Sequence, residues 1–522
     1  MIPNIHAYDG SDILYAGRLP QNIFGGVKMI SASLLYDLVG CPQRVHLDAF
    51  GDPARRDEPN EFVEMLWQGG VEHEEAMLAH LGITCNLARW TDDEREIETL
   101  AAMARGERLI YHGRLVSDDL VGESDLLEAV IGGYVPGDIK SGGGLEGEGE
   151  GGDDGRPKKT YSVQLAHYVN LLETLGWSDG RREAYVIDRE GARVAYRLGD
   201  AINARDPQTW WEFYLDALAI ARGILDGTTP TRGALSAACK LCHWGTACEA
   251  DLVAAQDLTL VAELGRAKRD VLSERFPDLR ALAAADPEAH VRGKKTDFPG
   301  IGPDTLRKYH ARAVLLSTPG ARPYLKAAVN FPVAAKEIAF DIEDDPLRAN
   351  FLYLHGFVER PYGGGVETFR PQFARDFSPA AELQAFAAAW AYLSAEAPSA
   401  VIYYFSKYER TAYRRLAERY PEVCSVDDVN ALFALPTMID LYDVVRRATE
   451  WPCYSQGIKT LAQFLGFRWR DPHPSGAASI QWFHEFTRTG DPAVQRRVLE
   501  YNEDDCRATF VVVDGIRAMP TP

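Results

Sequence analysis

Long apolar runs are missing from the 522-residue sequence; nothing in it approaches the roughly 20 consecutive apolar residues that a bilayer-spanning helix needs. The opening stretch, MIPNIHAYDGSDILYAG, lacks a basic start followed by an apolar segment, so no secretory signal is expected and the expected location is the cytoplasm. Excess positive charge is missing as well. Lys and Arg number 56 against 76 Asp and Glu, a net charge of −20, which argues against a protein that simply coats nucleic acid with a basic surface. A metal-dependent enzyme is not excluded, because carboxylates that bind cations add negative charge that the ions offset. A disulfide-rich composition is absent too: eight cysteines in a reducing compartment read as metal or cofactor ligands. No repeat of fixed period occurs, and no phosphate loop of the form GxxxxGK[ST], so any helicase motor would be a separate partner.

What is present is ordinary for folded protein, with 46% hydrophobic and 25% charged residues. The length suits two or three domains of about 150 residues, each with its own core. Residues 141–159, SGGGLEGEGEGGDDGRPKK, are rich in Gly and acid and bury too little apolar surface to fold, so a mobile loop is expected there. It interrupts a domain, since strand and helix signals resume on both sides. The pattern changes near residues 255 and 332. This divides the chain into 1–255, a connector of short charged helices at 256–331, and 332–522, where the strands KEIAFDIEDD, FLYLHGFVE and VIYYFS precede a final run of helices. The expected fold class is α/β.

Residues 121–140, VGESDLLEAVIGGYVPGDIK, read as two strands joined at Gly132–Gly133, with Asp125 on the first and Asp138 on the second. Asp138 and Lys140 are two apart and face one way from a strand. A carboxylate pair holds a hard divalent cation through oxygen, and a neighbouring lysine orients the attacking water and offsets phosphate charge. His73, in the helical stretch EFVEMLWQGGVEHEEAML, offers a nitrogen ligand. In the helical YSVQLAHYVNLLE, Gln164 and Tyr168 are four apart and share a face suited to bracing a phosphate or the lysine. The order His, GxxD, D-I-K and QxxxY resembles the RecB-like branch of the PD-(D/E)XK nuclease superfamily. That resemblance implies a restriction-endonuclease-like fold in which His73, Asp125 and Asp138 bind Mg²⁺ or Mn²⁺, Lys140 is catalytic, and Gln164 and Tyr168 support it. The acidic loop directly after Lys140 departs from the family pattern.

Cys239, Cys242 and Cys248 lie in ACKLCHWGTACEA, and Cys41 stands nearly two hundred residues earlier in LVGCPQRVHLDAF. Four thiolates hold either a [4Fe–4S] cluster or a zinc ion, with His243 as a spare ligand for zinc. One early and three late cysteines around the nuclease motifs resemble the iron–sulfur nucleases of the CRISPR-associated exonuclease and AddB types. In those a cluster pins the two ends of the nuclease domain together, which implies a structural [4Fe–4S] site here. Cys85, Cys424, Cys453 and Cys506 are expected to be buried small residues.

In FPGIGPDTLRKYH, Gly300 and Gly302 flank a turn whose N–H groups can approach a phosphate, with Lys294, Lys295, Arg307 and Lys308 nearby. The element resembles a helix–hairpin–helix, which grips DNA backbone without reading sequence. In the last third, Asp341 and Glu343 share one side of a strand, and Tyr501 and Asp505 share one face of a helix. Acids gathered in this way clamp two metal ions for phosphodiester hydrolysis. DxE followed at long range by YxxxD resembles the RNase H-like DEDD exonucleases. That family has a phenylalanine–aspartate after the strand VIYYFS, where this chain reads KYERTAYRRL. Glu409 is the candidate substitute and Asp440 in MIDLY a further acid.

Taken in order, the motifs resemble two-domain RecB-like nucleases, which join an iron–sulfur PD-(D/E)XK domain, a helical connector and an RNase H-like domain. The resemblance implies a metal-dependent nuclease, an exonuclease acting on single-stranded or frayed DNA in repair or processing. Two other functions fit the same residues: a non-cutting DNA-end binding module serving a partner helicase or nuclease, and an RNA-processing exonuclease led by the C-terminal domain.

Overall fold

The computed structural model describes residues 23–24, 27–59, 61–147, 155–203 and 206–520. Two units divide the chain, one running to Ala250 and the other from Asp251 onward.

The first unit is built on a seven-stranded sheet: β1 (Ile30–Ser31), β2 (Cys85–Asn86), β3 (Leu109–Ser117), β4 (Leu120–Val130), β5 (Gly133–Ile139), β6 (Glu183–Ile187) and β7 (Arg193–Arg197). Its spatial order is β7-β6-β5-β4-β3-β2, with β1 also paired to β4. The expected hairpin of β4 and β5 forms, and Gly132 takes a φ of +95° in its turn, a conformation that side-chain-bearing residues rarely adopt. β6 then runs parallel to β5 after a helical crossover. The helices used below are α1 (Ala32–Gly40), α2 (Pro42–Phe50), α3 (Glu61–Leu81), α4 (Lys159–Leu175) and α5 (Trp210–Leu225). α4 is buried almost throughout, and its Val163, Leu165 and Leu171 join Leu127, Val186 and Tyr214 in the core. It approaches β4 at Gly122, where an added Cβ would lie 2.6 Å from Leu171 Cδ1 and 2.9 Å from Tyr168 Cδ1. Of the stretch 141–159 expected to be a mobile loop, residues 148–154 lie outside the described residues, and Lys159 already opens α4. Within the same stretch, Leu145–Glu146 and Arg156–Pro157 pair as short strands.

In the second unit the short elements of 256–331 form a small core of their own from Leu258, Leu272, Phe298, Leu306 and Tyr309. This segment is anchored into the unit by α6 (Pro303–Ser317). Its buried Arg312 donates to buried Glu450 at 2.8 Å, an ion pair costly to separate because either charge left alone would be desolvated. The five-stranded sheet that follows comprises β8 (Lys336–Asp345), β9 (Phe351–Pro361), β10 (Thr368–Phe373), β11 (Val401–Tyr404) and β12 (Met438–Asp440), in the order β10-β9-β8-β11-β12. β8, β9 and β10 are antiparallel, whereas β11 and β12 run parallel to β8. The helices are α7 (Pro379–Glu396), α8 (Tyr408–Arg419), α9 (Ile458–Phe464), α10 (Gly476–Thr489) and α11 (Pro492–Arg517). Phe340, Phe357, Phe386, Leu393 and Tyr413 fill the core between sheet and helices. α11 presses on β9 at Gly356, where a Cβ would sit 1.6 Å from Asn502 Oδ1; only glycine fits.

Among the described residues no helix is long and apolar enough to cross a membrane.

Candidate active sites

Registers alone align three side chains across the first sheet. β3 and β4 pair Tyr111 with Leu126 and Gly113 with Ser124, which sets His112 opposite Asp125. β4 and β5 pair Leu126 with Gly137, and one step further sets Asp125 opposite Asp138. Opposed residues share a face, so His112, Asp125 and Asp138 form one row. His112 has a φ of +55° within a strand, a backbone outlier of the kind that clusters at functional sites. α3 supplies Glu74. Ligand atoms of Glu74, His112 and Asp125 lie within 4.8 Å of one another. His112 Nε2 is 3.2 Å from Glu74 Oε1, and the Tyr111 hydroxyl donates to the same oxygen at 2.8 Å. Lys140 Nζ stands 3.4 Å from Asp138 Oδ2, with both side chains buried.

The electrostatics suit a cation. Burial, with Glu74 and Asp138 close by, pushes the Asp125 carboxyl well above its ordinary range, although it accepts the Ile139 N–H at 2.7 Å. Burial raises Asp138 too, against the pull of Lys140. For Glu74, burial is outweighed by the His112 and Tyr111 hydrogen bonds, which hold it below the usual value. Asp138 Oδ1 and Gln164 Oε1 are buried with no hydrogen-bond partner among the described residues. A divalent ion at Glu74, His112 and Asp125 would relieve this like-charge crowding, so the donor set fits one.

His73, the expected nitrogen ligand, is half-buried on α3 and lies outside this group; the adjacent Glu74 is in it. Successive helix residues point about 100° apart, so a shift of one position changes which side chain reaches the site. Gln164 and Tyr168 share a face of α4 as expected. The Tyr168 hydroxyl donates to Glu123 O at 3.1 Å and so braces β4 from behind.

Cys41 and Cys239 both lie near Cys242 in the same unit. Cys41 links α1 and α2, Cys239 lies in the short 3₁₀ stretch Ala237–Leu241, and Cys242 caps that stretch. Burial raises the Cys242 thiol to about 12, with the backbone N–H of Trp244 opposing and Cys41 and Cys239 adding to the rise. Three of the four expected ligands are thus within electrostatic reach of each other, and all four are half-buried. His243 is anchored through one ring nitrogen: its Nε2 lies 2.6 Å from Asp48 Oδ1, which also accepts Trp244 Nε1 at 2.9 Å. This network ties the cysteine segment to α2. Of the remaining thiols, Cys424 and Cys506 are buried as expected, whereas Cys453 is only half-buried, as is Cys85, which packs against the edge of the first unit's core.

In the connector, Gly300 has a φ of +73° and Gly302 caps α6. The element before them is a two-stranded hairpin, Val291–Arg292 with Lys295–Thr296, and not a helix; Gly293, at φ +63°, permits its tight turn. Lys294 and Lys295 are exposed at its tip. Arg307 is engaged by Glu288 and Asp304, and Lys308 by Glu263.

The second carboxylate group lies on β8 and α11. Ligand atoms of Asp341, Glu343 and Asp505 come within 4.8 Å of one another. Asn502, seated against Gly356, donates to Asp341 Oδ2 at 2.8 Å, and Trp469 Nε1 donates to Asp505 Oδ1 at 2.7 Å. Burial, followed by Asp505 and Glu343, drives Asp341 well above its ordinary range, and burial with Asp505 does the same to Glu343. Such mutual repulsion in a desolvated site fits a divalent ion.

Tyr501 is one turn from Asp505 on α11 as expected, and its hydroxyl accepts from Lys459 Nζ at 2.8 Å. Lys459, which also donates to Pro474 O at 2.9 Å, was not anticipated. Glu409 opens α8 beside the group: burial raises it to about 8, Asp440 adds to the rise, and its Oε2 has no hydrogen-bond partner among the described residues. Asp440 ends β12 and caps the next helix through Asp443 N at 3.1 Å.

A five-stranded sheet of this order, with acids on its central strand and last helix, defines a class. Residues 338–516 match the model of the RNase_H superfamily, so the C-terminal part of the chain is an RNase H-like domain, consistent with a nuclease-type function. No curated protein matches the chain.

Proposed function

We propose that the protein is a metal-dependent nuclease that hydrolyses phosphodiester bonds in DNA, acting on single-stranded or frayed ends. The observation that carries this reading is the gathering of Asp341 and Glu343 of β8 with Asp505 of α11 in an RNase H-like domain. These three would hold Mg²⁺ or Mn²⁺, which when bound supplies Lewis acidity and a water of lowered pKa. The chain's own residues set the stage: Asn502 and Trp469 fix the carboxylates, and Lys459 holds the Tyr501 hydroxyl and adds positive charge where phosphate charge builds up.

A second centre in the first unit is favoured by the row of His112, Asp125 and Asp138 with Glu74 and Lys140. In this reading it is a PD-(D/E)XK-type site, with Lys140 orienting the attacking water and Gln164 and Tyr168 bracing it. Cys41, Cys239, Cys242 and Cys248 then hold a structural [4Fe–4S] cluster, zinc being the alternative. The whole is an exonuclease of DNA repair or processing in the cytoplasm, with any helicase supplied by a partner.

The deciding experiment is Mn²⁺-dependent cleavage of end-labelled single-stranded DNA and RNA by anaerobically purified protein, alongside Asp341→Asn and Asp125→Asn. Cleavage of DNA that each substitution lowers by more than about a hundredfold in the other's background supports both centres. Loss in Asp341→Asn alone, with RNA preferred, would replace the reading with an RNA exonuclease. Tight DNA binding without any cleavage would leave a binding module. Iron analysis separates cluster from zinc.

A further inference from the structure

Helix α10 touches the second carboxylate group at one end and walls a pocket at the other. Its Ser479 hydroxyl bonds the Tyr353 hydroxyl at 2.9 Å beside Glu343. Further along, Gln481, His484 and Arg488 line an open pocket of ≈ 630 Å³ together with Arg348 and Phe377. At about 1.5 Å per helical residue, Ser479 and Arg488 are about 13 Å apart, a short step along a nucleic-acid strand.

The lining has three properties of a nucleotide site. Arg348 lies over the Phe377 ring at 4.2 Å from its centroid, making a flat layer of the kind on which bases stack. Arg348 and Arg488 are exposed and have no carboxylate partner among the described residues, an available cationic pair in a chain of net charge −20. His484 is held from behind: its Nε2 is 2.6 Å from Oδ2 of Asp345, which is wholly buried two residues beyond Glu343 on β8. This contact fixes the ring, whose centroid lies 4.7 Å from that of Phe377. Finally, Gln481 Oε1 is buried without a hydrogen-bond partner among the described residues, an unused acceptor that a ribose hydroxyl or a base N–H would satisfy.

We propose that this pocket is a subsite for one nucleotide of the strand that enters the carboxylate group, with its base on the Arg348–Phe377 layer, its phosphate on Arg488 and a donor on Gln481. The inference rests on the nuclease reading only for the identity of that strand. Asp376 and Glu485 also line the pocket and disfavour small free anions, so the ligand is a nucleotide with hydrogen-bond donors and not inorganic phosphate.

The test is binding of fluorescein-labelled oligothymidylate to the full chain by anisotropy, in Ca²⁺ without Mg²⁺ or Mn²⁺, at several salt concentrations. Arg348→Ala and Arg488→Ala, both at exposed positions, are each expected to weaken binding about tenfold, and Arg488→Ala, which removes the phosphate contact, to lower the salt slope by about 0.7. Arg488→Lys should recover most of the slope. Unchanged affinity and slope in both alanine variants would overturn the subsite. So would a wild type that binds no oligonucleotide, or an equal loss in Arg414→Ala, an exposed arginine on α8 away from the pocket lining. A wild type that binds in this pattern but cuts nothing would sink the nuclease reading and leave the subsite standing.

Discussion

The two units gather acids by a similar construction and differ in where the neighbouring positive charge comes from. Each lays a helix on a strand at a glycine, Gly122 of β4 under α4 and Gly356 of β9 under α11, and each brings acid from its sheet together with acid from a helix. In the first unit the cation is local: Lys140 follows Asp138 by two residues on the same edge. In the second, Lys459 arrives from a seven-residue helix more than a hundred residues after Asp341 and acts through Tyr501. A charge two residues from an acid pairs with it directly, whereas one held on a tyrosine hydroxyl positions that neighbour.

Exchanging each lysine for methionine exposes that difference. Lys140→Met, measured with Asp341→Asn present to silence the second unit, is expected to lower cleavage by about a hundred- to a thousandfold, the loss typical of a charge aimed at the transition state. Lys459→Met with Asp125→Asn present is expected to cost about ten- to a hundredfold, as for residues that orient the ligands. Equal losses in single-turnover assays would mean that both lysines do the same job.

The glycine contacts grade the same comparison in stability. Gly356→Ala has no room, because its Cβ would overlap Asn502 Oδ1 at 1.6 Å, and it also displaces the donor to Asp341. Gly122→Ala meets the flexible end of Leu171 at 2.6 Å and can be absorbed in part. Overpacking of this kind costs about 1–3 kcal/mol, with Gly356→Ala expected at or beyond the upper end and Gly122→Ala near the lower. Denaturant titrations would read the order, and a larger loss at Gly122 would contradict the packing argument.

A pH series probes the second unit further, through Glu409, which burial raises to about 8. Glu409 in the folded, metal-free protein binds its proton more tightly than in the unfolded chain, where its ordinary value is 4.5. Stability from this group is therefore complete below about pH 4.5 and is lost as pH rises toward 8. Glu409→Gln is expected to melt above wild type at pH 8 to 9 in EDTA and close to it at pH 5. The opposite ordering in melting scans would mean that Glu409 is ionised and paired in the fold.

These distinctions were legible in the sequence only where they rest on short-range spacing. The β4–β5 hairpin, the Asp138–Lys140 pair, the Asp341–Glu343 pair and the Tyr501–Asp505 turn all follow from the two-residue and four-residue periods of strand and helix. His112 was hidden because its place beside Asp125 depends on the β3–β4 register, a tertiary pairing with no local mark. Glu74 was missed by one position on α3, where rotation about the helix axis decides which side chain reaches the sheet. No spacing rule connects Lys459 to Tyr501, 42 residues away. The family match falls on the RNase H-like part although the tightest local motif lies in the other unit. A pattern spread over a whole domain in fixed order carries more information than a compact pair of residues.

The smallest expected effect lies in the connector, where exposed cations differ in whether they are already neutralised. Arg307 faces Glu288 and Asp304, so it has little net charge left for a phosphate. Lys294 and Lys295, at the tip of the hairpin, have no ion-pair partner among the described residues. Each phosphate contact contributes about 0.9 to the salt slope on duplex DNA and about 0.7 on single strands. Replacing both lysines with alanine should therefore weaken DNA binding a few-fold and flatten the slope by about one to two. Arg307→Ala should leave both nearly unchanged, since it releases two carboxylates without removing a free cation. If the two variants behave alike in anisotropy titrations across salt, the hairpin is a structural turn and the DNA path does not cross it.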